Sequence, residues 1–363
     1  MIRSQARPIT IFTPSDANAD NTNAQALTVK EIVSRLPEDR FQVTMLCDGD
    51  TPDPRLRARK NTRLVRWTSH GNTLRLLRYC LLPPPDIYFF PRTGPLDHAF
   101  FSLRKRMSLH TALITYIVMA MDAVTGRGLI GRSILEGDRV FGNSMHVADS
   151  IREMFGVEAS PMYDGVDRSN FFLREPHVEN CNLVVLYAGS LQARKRVELV
   201  VQQAARLPGA RFRVAGRGET EAACRGLAQE LGCRNVSFLG HLTPEQLGEE
   251  MRQADIFFFP SILEGNPQVL LQSAACGLPA IAMDLYRSDY VVNGETGFLV
   301  GSDPELAARL DQLAGDAALR RAFGMAAAQH ARQFDWDKIA EQWAVVFEEA
   351  AQRRRPYSRQ RVS

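Results

Sequence analysis

Short apolar runs alternate with amphipathic stretches through the C-terminal half of this chain, and that rhythm admits few folds. Residues 183–189 form a run suited to a strand buried on both faces. An amphipathic helix follows over 197–207, then a strand over 211–216, a helix over 219–231 and a strand over 236–240. A helix over 244–252, a strand over 255–259, another helix and a strand over 280–283 continue the series. Strand and helix in turn predict a parallel, doubly wound α/β sheet. Ligands of such sheets sit at the carboxyl ends of the strands. The loops after Gly189, Gly216, Gly240 and Phe259 are therefore expected to line one site. The N-terminal half alternates less regularly, with strands at 9–13, 43–47, 86–90, 115–119 and 139–143 and a helix over 24–36. A length of 363 residues suffices for two separate cores.

The stretch 260–279 carries the most chemistry. Asn266 is placed to cap a helix starting at Pro267, where the missing N–H is harmless. Gly277 and Pro279 end that helix. The N–H groups of Gln268, Val269 and Leu270 then leave a positive helix end that favours a phosphate. Glu264 stands at the lip of this site, next to Gly265. A carboxylate repels phosphate, so its fitting partner is something attached to the phosphate, such as a sugar.

These residues resemble the retaining glycosyltransferases of family 4, which have the GT-B fold. The resemblance implies two doubly wound Rossmann-like domains facing a central cleft. The family carries two glutamates separated by seven residues, then a small-residue helix and a Cys-Gly-Leu-Pro-like turn. Glu264 matches the first glutamate, and residues 275–279 match the turn. Gln272 replaces the second, which in the family holds the ribose of the nucleotide donor. Gln keeps the hydrogen-bonding capacity without the charge. The family has Arg after the glycine at 189 and Lys five residues later. Here Ser190 takes the Arg position, Lys195 matches, and Arg194 is an adjacent cation. By resemblance, Glu264, Lys195 and Arg194 are the catalytic group, the cations neutralising charge that grows on a leaving diphosphate. Donor contacts are implied from Gly189, Ser190, Gly216, Gly218, His241, Leu242, Gly265, Asn266, Gln268, Val269 and Gln272. The plainer readings are a solvated basic helix start at 194–196, an exposed helix-start glutamate at 264 and an ordinary tight turn at Gly216-Arg217-Gly218.

Acceptor contacts are expected from the N-terminal half. Asp16 and Asn18 lie in a polar loop over 15–23 whose acidic and amide groups suit sugar hydroxyls; a capped helix start explains the same residues. Asp97 and His98, read as loop residues after the 86–90 strand, and His110 are further candidates. No metal-ligand spacing is visible, and no cofactor is expected beyond the nucleotide-sugar donor itself. The expected division is an acceptor-side domain over 1–172, a donor-binding domain over 173–334, a helix over 335–352 packing back on the first domain, and a basic disordered tail over 353–363.

A net charge of +3 argues against a nucleic-acid binder. Residues 1–160 carry 21 Lys and Arg against 16 Asp and Glu, and the remainder 23 against 25. A basic first half fits an anionic acceptor, peripheral contact with an anionic membrane, or no partner at all. The six cysteines lack metal spacing and read as reduced cytosolic thiols. With no signal-peptide core and no apolar stretch of spanning length, the expected location is the cytoplasm, with contact at the inner membrane face. The expected function is retaining transfer of a sugar from a nucleotide-sugar to a hydroxyl acceptor, in polysaccharide, glycolipid or glycoprotein assembly. A non-catalytic nucleotide-sugar-binding subunit and a nucleotide-sugar epimerase of the same fold are the alternatives.

Overall fold

The computed structural model describes residues 7–21, 23–67, 73–90, 94–118, 135–173 and 182–354. The chain forms two compact units, residues 1–163 with 336–363, and residues 164–335.

The first unit contains β1 (Ile9–Asp16), β2 (Phe41–Asp48), β3 (Thr62–Trp67), β4 (Ile87–Phe89), β5 (Ala112–Ile117), β6 (Arg139–Gly142) and β7 (Ser160–Pro161). They make one sheet in the order β3-β2-β1-β4-β5-β6-β7, every pairing parallel. Parallel neighbours need crossovers, and those helices cover both faces of the sheet. One apolar layer includes Val29, Ile32 and Val33 of the Ala24–Arg35 helix and Trp336, Ile339, Trp343 and Phe347 of the Trp336–Arg354 helix. The other includes Leu76, Leu77 and Cys80 of the Thr73–Leu81 helix and Leu96, Phe100 and Phe101 of the Pro95–Arg106 helix. Trp343 is fully buried, its ring 4.9 Å from Phe89 and 5.2 Å from both Tyr116 and Phe141. The last helix is thus part of this unit's core.

The second unit contains β8 (Val184–Ala188), β9 (Arg211–Ala215), β10 (Val236–Gly240), β11 (Ile256–Phe259), β12 (Ala280–Met283) and β13 (Gly297–Val300). Their order is β10-β9-β8-β11-β12-β13, again all parallel. The order reverses between β8 and β11, where a doubly wound sheet opens a crevice for ligand. β8, β11 and β12 are buried along their whole length, as their unbroken apolar runs require. Both units are Rossmann-like α/β folds.

The junction falls at Tyr163–Asp164, ahead of the 172/173 boundary expected from the sequence. Residues 164–173 belong to the second unit because its groups hold them. The Val166 N–H donates to Phe334 O at 2.8 Å, and Arg252 Nη1 donates to Asn170 O at 2.7 Å. Arg252 also sits over the Phe172 ring. The basic tail expected over 353–363 lies largely outside the described residues.

Candidate functional site

Four loops at the carboxyl ends of β10, β9, β8 and β11 are stitched together by their backbones. The Gly216 N–H donates to Gly240 O at 2.7 Å, the Leu191 N–H to Arg217 O at 2.9 Å, and the Ile262 N–H to Arg194 O at 3.1 Å. Glycine is required for this approach. A Cβ at Gly218 would lie 2.2 Å from Leu191 O, and one at Gly216 only 1.8 Å from Gly189 O. The Gly-x-Gly turn therefore has a packing reason of its own, whatever it binds.

After Gly189 the chain turns through a short 3₁₀ segment, Ala193–Lys195, into the Val197–Arg206 helix. β8 and β11 are neighbours, so this segment meets the loop that follows β11. Arg194 Nη1 donates to Leu263 O at 2.7 Å and to Glu264 Oε1 at 2.9 Å. Lys195 Nζ and Ser261 Oγ donate to the same oxygen. Among the described residues no hydrogen bond uses Glu264 Oε2. The Lys195 and Glu264 side chains are 9% and 11% exposed, while that of Arg194 is 38% exposed. Lys195 Nζ also lies 5.0 Å from the centre of the Phe259 ring. Burial pulls the Lys195 ammonium below its ordinary value, Glu264 opposes that shift and Arg194 adds to it. Burial, helped by the Glu264 charge, pushes the Tyr187 hydroxyl well up. Arg196 is spent elsewhere, donating to Pro260 O and Asp303.

The Gln268–Ala275 helix differs from expectation at its start. Its N-cap is Pro267, with no side-chain cap. Asn266 does not cap: it is buried, and its Oδ1 accepts from Ser288 Oγ at 2.8 Å. The Leu270 N–H closes a turn to Pro267 O, which leaves the Gln268 and Val269 amides at the helix end. Among the described residues Gln268 Nε2 is buried with no hydrogen-bond partner. Gln272, eight residues after Glu264, is half-buried in this helix, and Gly265 is buried. Gly277 terminates the helix in the left-handed region at φ 77°. Ser190 is exposed, its carbonyl accepting from Tyr187 Oη at 3.0 Å. His241 is exposed and Leu242 half-buried, just after β10.

The acceptor-side candidates lie in the other unit, and the structure spends several of them on its own architecture. Asp16 accepts from the Asn18 and Asp48 backbone N–H groups and from Asn21 Nδ2. Asn18 accepts from the Asp20 N–H and Thr51 Oγ1, and its amide donates to Asp48 O. Buried Lys30 donates to the Asn18 and Asn21 carbonyls, both at 2.9 Å. Asp97 is not in a loop. It occupies the first turn of the Pro95–Arg106 helix, 1% exposed, accepting from Tyr88 Oη at 2.6 Å and the Gly94 N–H at 2.8 Å. His98 is half-buried in the same helix and His110 is exposed. Asp16, Asn18 and Asp97 thus hold local structure together through these contacts. Sequence reasoning missed Ser261, Phe259 and Ser288. The first was legible as a hydroxyl three residues before the key carboxylate; Ser288 reaches Asn266 only through the fold.

Among the described residues no group of three or more His, Cys, Asp or Glu could hold a metal ion. Nor is any helix long and apolar enough to cross a membrane.

Residues 171–330 match the family model described as glycosyl transferases group 1. The match lies within the second unit and includes the whole Lys195–Glu264 cluster. Over 170 residues the chain is 35% identical to an exopolysaccharide phosphotransferase of Streptomyces coelicolor, covering 44% of this chain and 18% of that protein. It is 30% identical to a D-inositol 3-phosphate glycosyltransferase of Acidothermus cellulolyticus, covering 66% of this chain and 59% of that one. The chain therefore spans less than two thirds of the length of either relative. Among solved structures it resembles sucrose-phosphate synthase from Thermosynechococcus elongatus, with a TM-score of 0.78 at 19% identity over 95% of this chain and 99% of that one. It also resembles Anabaena HepE in complex with UDP and glucose, with a TM-score of 0.76 at 17% identity over 94% and 100%. At such identities the likeness speaks for the fold, which is of the GT-B type.

Proposed function

We propose that this protein is a retaining glycosyltransferase that moves a sugar from a nucleotide-sugar to a hydroxyl acceptor. The observation that carries the reading is the convergence of Lys195, Arg194 and Ser261 on one oxygen of Glu264, inside the matched segment and at the sheet's switch point. In this reading the donor diphosphate lies against Lys195, Arg194 and the amides at the start of the Gln268–Ala275 helix. The loops at Gly189, Gly216 and His241 support the nucleoside, and Gln272 contacts the ribose. Glu264 Oε2 accepts from sugar hydroxyls while Oε1 stays anchored.

As the bond from the anomeric carbon to the diphosphate oxygen breaks, electrons pass to that oxygen and the two cations stabilise the charge. The acceptor oxygen bonds to the same face of the anomeric carbon, and its proton passes to the leaving phosphate. Such a path needs no protein base; positioning and electrostatics do the work. No cofactor is invoked beyond the donor. UDP is the first nucleotide to try, because HepE was solved with it. Polysaccharide, glycolipid or glycoprotein assembly in the cytoplasm is the setting we favour, and free thiols at Cys47, Cys80, Cys224, Cys233 and Cys276 support a reducing compartment.

A thermal-shift screen of nucleoside diphosphates and nucleotide-sugars tests this. A ligand that binds only the folded chain raises its melting temperature. The rise is expected with at least one compound, and is reduced in Lys195→Ala. Transfer to an acceptor should vanish in Glu264→Ala. Millimolar ligands that leave the wild type unmoved would sink the reading. Binding without turnover would indicate a binding subunit, and sugar interconversion without acceptor an epimerase.

A further inference from the structure

We propose that the outer face of the Thr73–Leu81 helix is a peripheral docking surface for an anionic bilayer. The inference is independent of the donor site. Residues 54–85 hold eight Lys and Arg and no Asp or Glu. Several of these cations are spent inside the unit: Arg55 on Asp53 and Glu31, Arg59 on the Ser34 and Leu36 carbonyls, and Arg66 on Asp50. Arg75 and Arg78 are exposed and make no ion pair among the described residues.

Beside them stand Leu74 and Leu82, 86% and 72% exposed, the two most exposed large hydrophobic side chains among the described residues. The Leu82 N–H donates to Arg78 O at 3.0 Å, so the helical turn reaches it. Positions 74, 78 and 82 are four apart and share one stripe, with Arg75 beside it. Leu76, Leu77 and Cys80 on the opposite side already fill the core. The outward leucines therefore contribute nothing to folding the helix.

Apolar side chains interleaved with cations, and no acid among them, are what an anionic interface recognises. The leucines enter the acyl boundary while the guanidinium groups meet the headgroups. Two leucines fall far short of the roughly 800 Å² per partner of a stable protein interface. A weak, reversible membrane contact fits their size.

The test is co-sedimentation of the full chain with vesicles of phosphatidylcholine, alone or with added phosphatidylglycerol. Binding is expected only to the anionic vesicles and should weaken as salt rises. Each arginine replaced in Arg75→Gln and Arg78→Gln should lower partitioning about fivefold. The pair Leu74→Ser and Leu82→Ser should lower it comparably, while Met325→Ser, an exposed residue of the second unit, should leave it unchanged. Unchanged melting temperatures confirm that the variants stay folded. No preference for anionic vesicles, or variants that bind like wild type, would overturn the proposal. A concentration-dependent dimer lost in the leucine variant would also overturn it and assign the face to a second copy. No nucleotide enters the assay, so its failure leaves the donor reading untouched.

Discussion

Three donors share one oxygen of Glu264, and two of them carry charge. Lys195 is the more buried cation, so its proton is the more sensitive to what approaches. Burial lowers its pKa below the ordinary 10.5. A diphosphate needs the ammonium form, so affinity for UDP should fall along an alkaline limb lying below 10.5. Arg194 is one of the groups holding that value down, so Arg194→Gln should move the limb upward. Calorimetric titrations across the alkaline range would show both effects; a limb that ignores Arg194 would assign the titration to another group. The same shift bears on stability. The folded chain holds this proton less firmly than the unfolded one. The resulting cost is present at neutral pH and is relieved as pH rises from the folded value towards 10.5. Removing the charge in Lys195→Ala should weaken UDP binding by about 1.5–3 kcal/mol, the worth of a charged hydrogen bond.

Two loops are fused by the absence of a side chain. Gly218→Ala would force the Gly216–Thr220 turn away from Leu191, because the new Cβ would meet a backbone oxygen that cannot rotate aside. We expect a loss of about 1–3 kcal/mol in stability and a reduced thermal response to UDP. Gly209→Ala has nothing within 4 Å of its Cβ and should stay within about 0.5 kcal/mol of wild type. Denaturant melts of the two variants make the comparison. Equal stability would mean that the turn adapts, and that its glycines owe nothing to close packing.

The Trp336–Arg354 helix leaves the second unit in sequence and completes the core of the first. Its Trp343 and Phe347 are fully buried among Phe89, Tyr116, Phe141 and Phe41. Trp343→Ala should cost the first unit about 3–5 kcal/mol. Residues 164–335 have their own sheet and core, so that fragment alone should melt cooperatively and, if the proposed donor site is right, respond to the same nucleotide as the full chain. Calorimetry of the variant and of the fragment tests this. A fragment with no melting transition would show that the second unit depends on the first.

The alternation of apolar runs was enough to read five of the six strands of the second sheet, because its central strands, buried on both faces, are apolar throughout. The helix-start chemistry around 264–270 singled out Glu264, and the family resemblance, not the periodicity, pointed to Lys195 and Arg194. β3 escaped notice because it is an edge strand that mixes polar with apolar residues, whereas β13 is apolar and buried but only four residues long. Asp97 was misplaced for a related reason. Nothing local says that a carboxylate nine residues from Tyr88 will turn inward to accept a hydrogen bond from its hydroxyl. Which donors would meet at Glu264 Oε1 was likewise decided by tertiary structure, for β8 and β11 lie some seventy residues apart and become neighbours only in the sheet. Sequence determines periodicity and the chemistry available; which polar groups are consumed by the fold, and which remain for a ligand, is set by contacts between segments that only folding brings together.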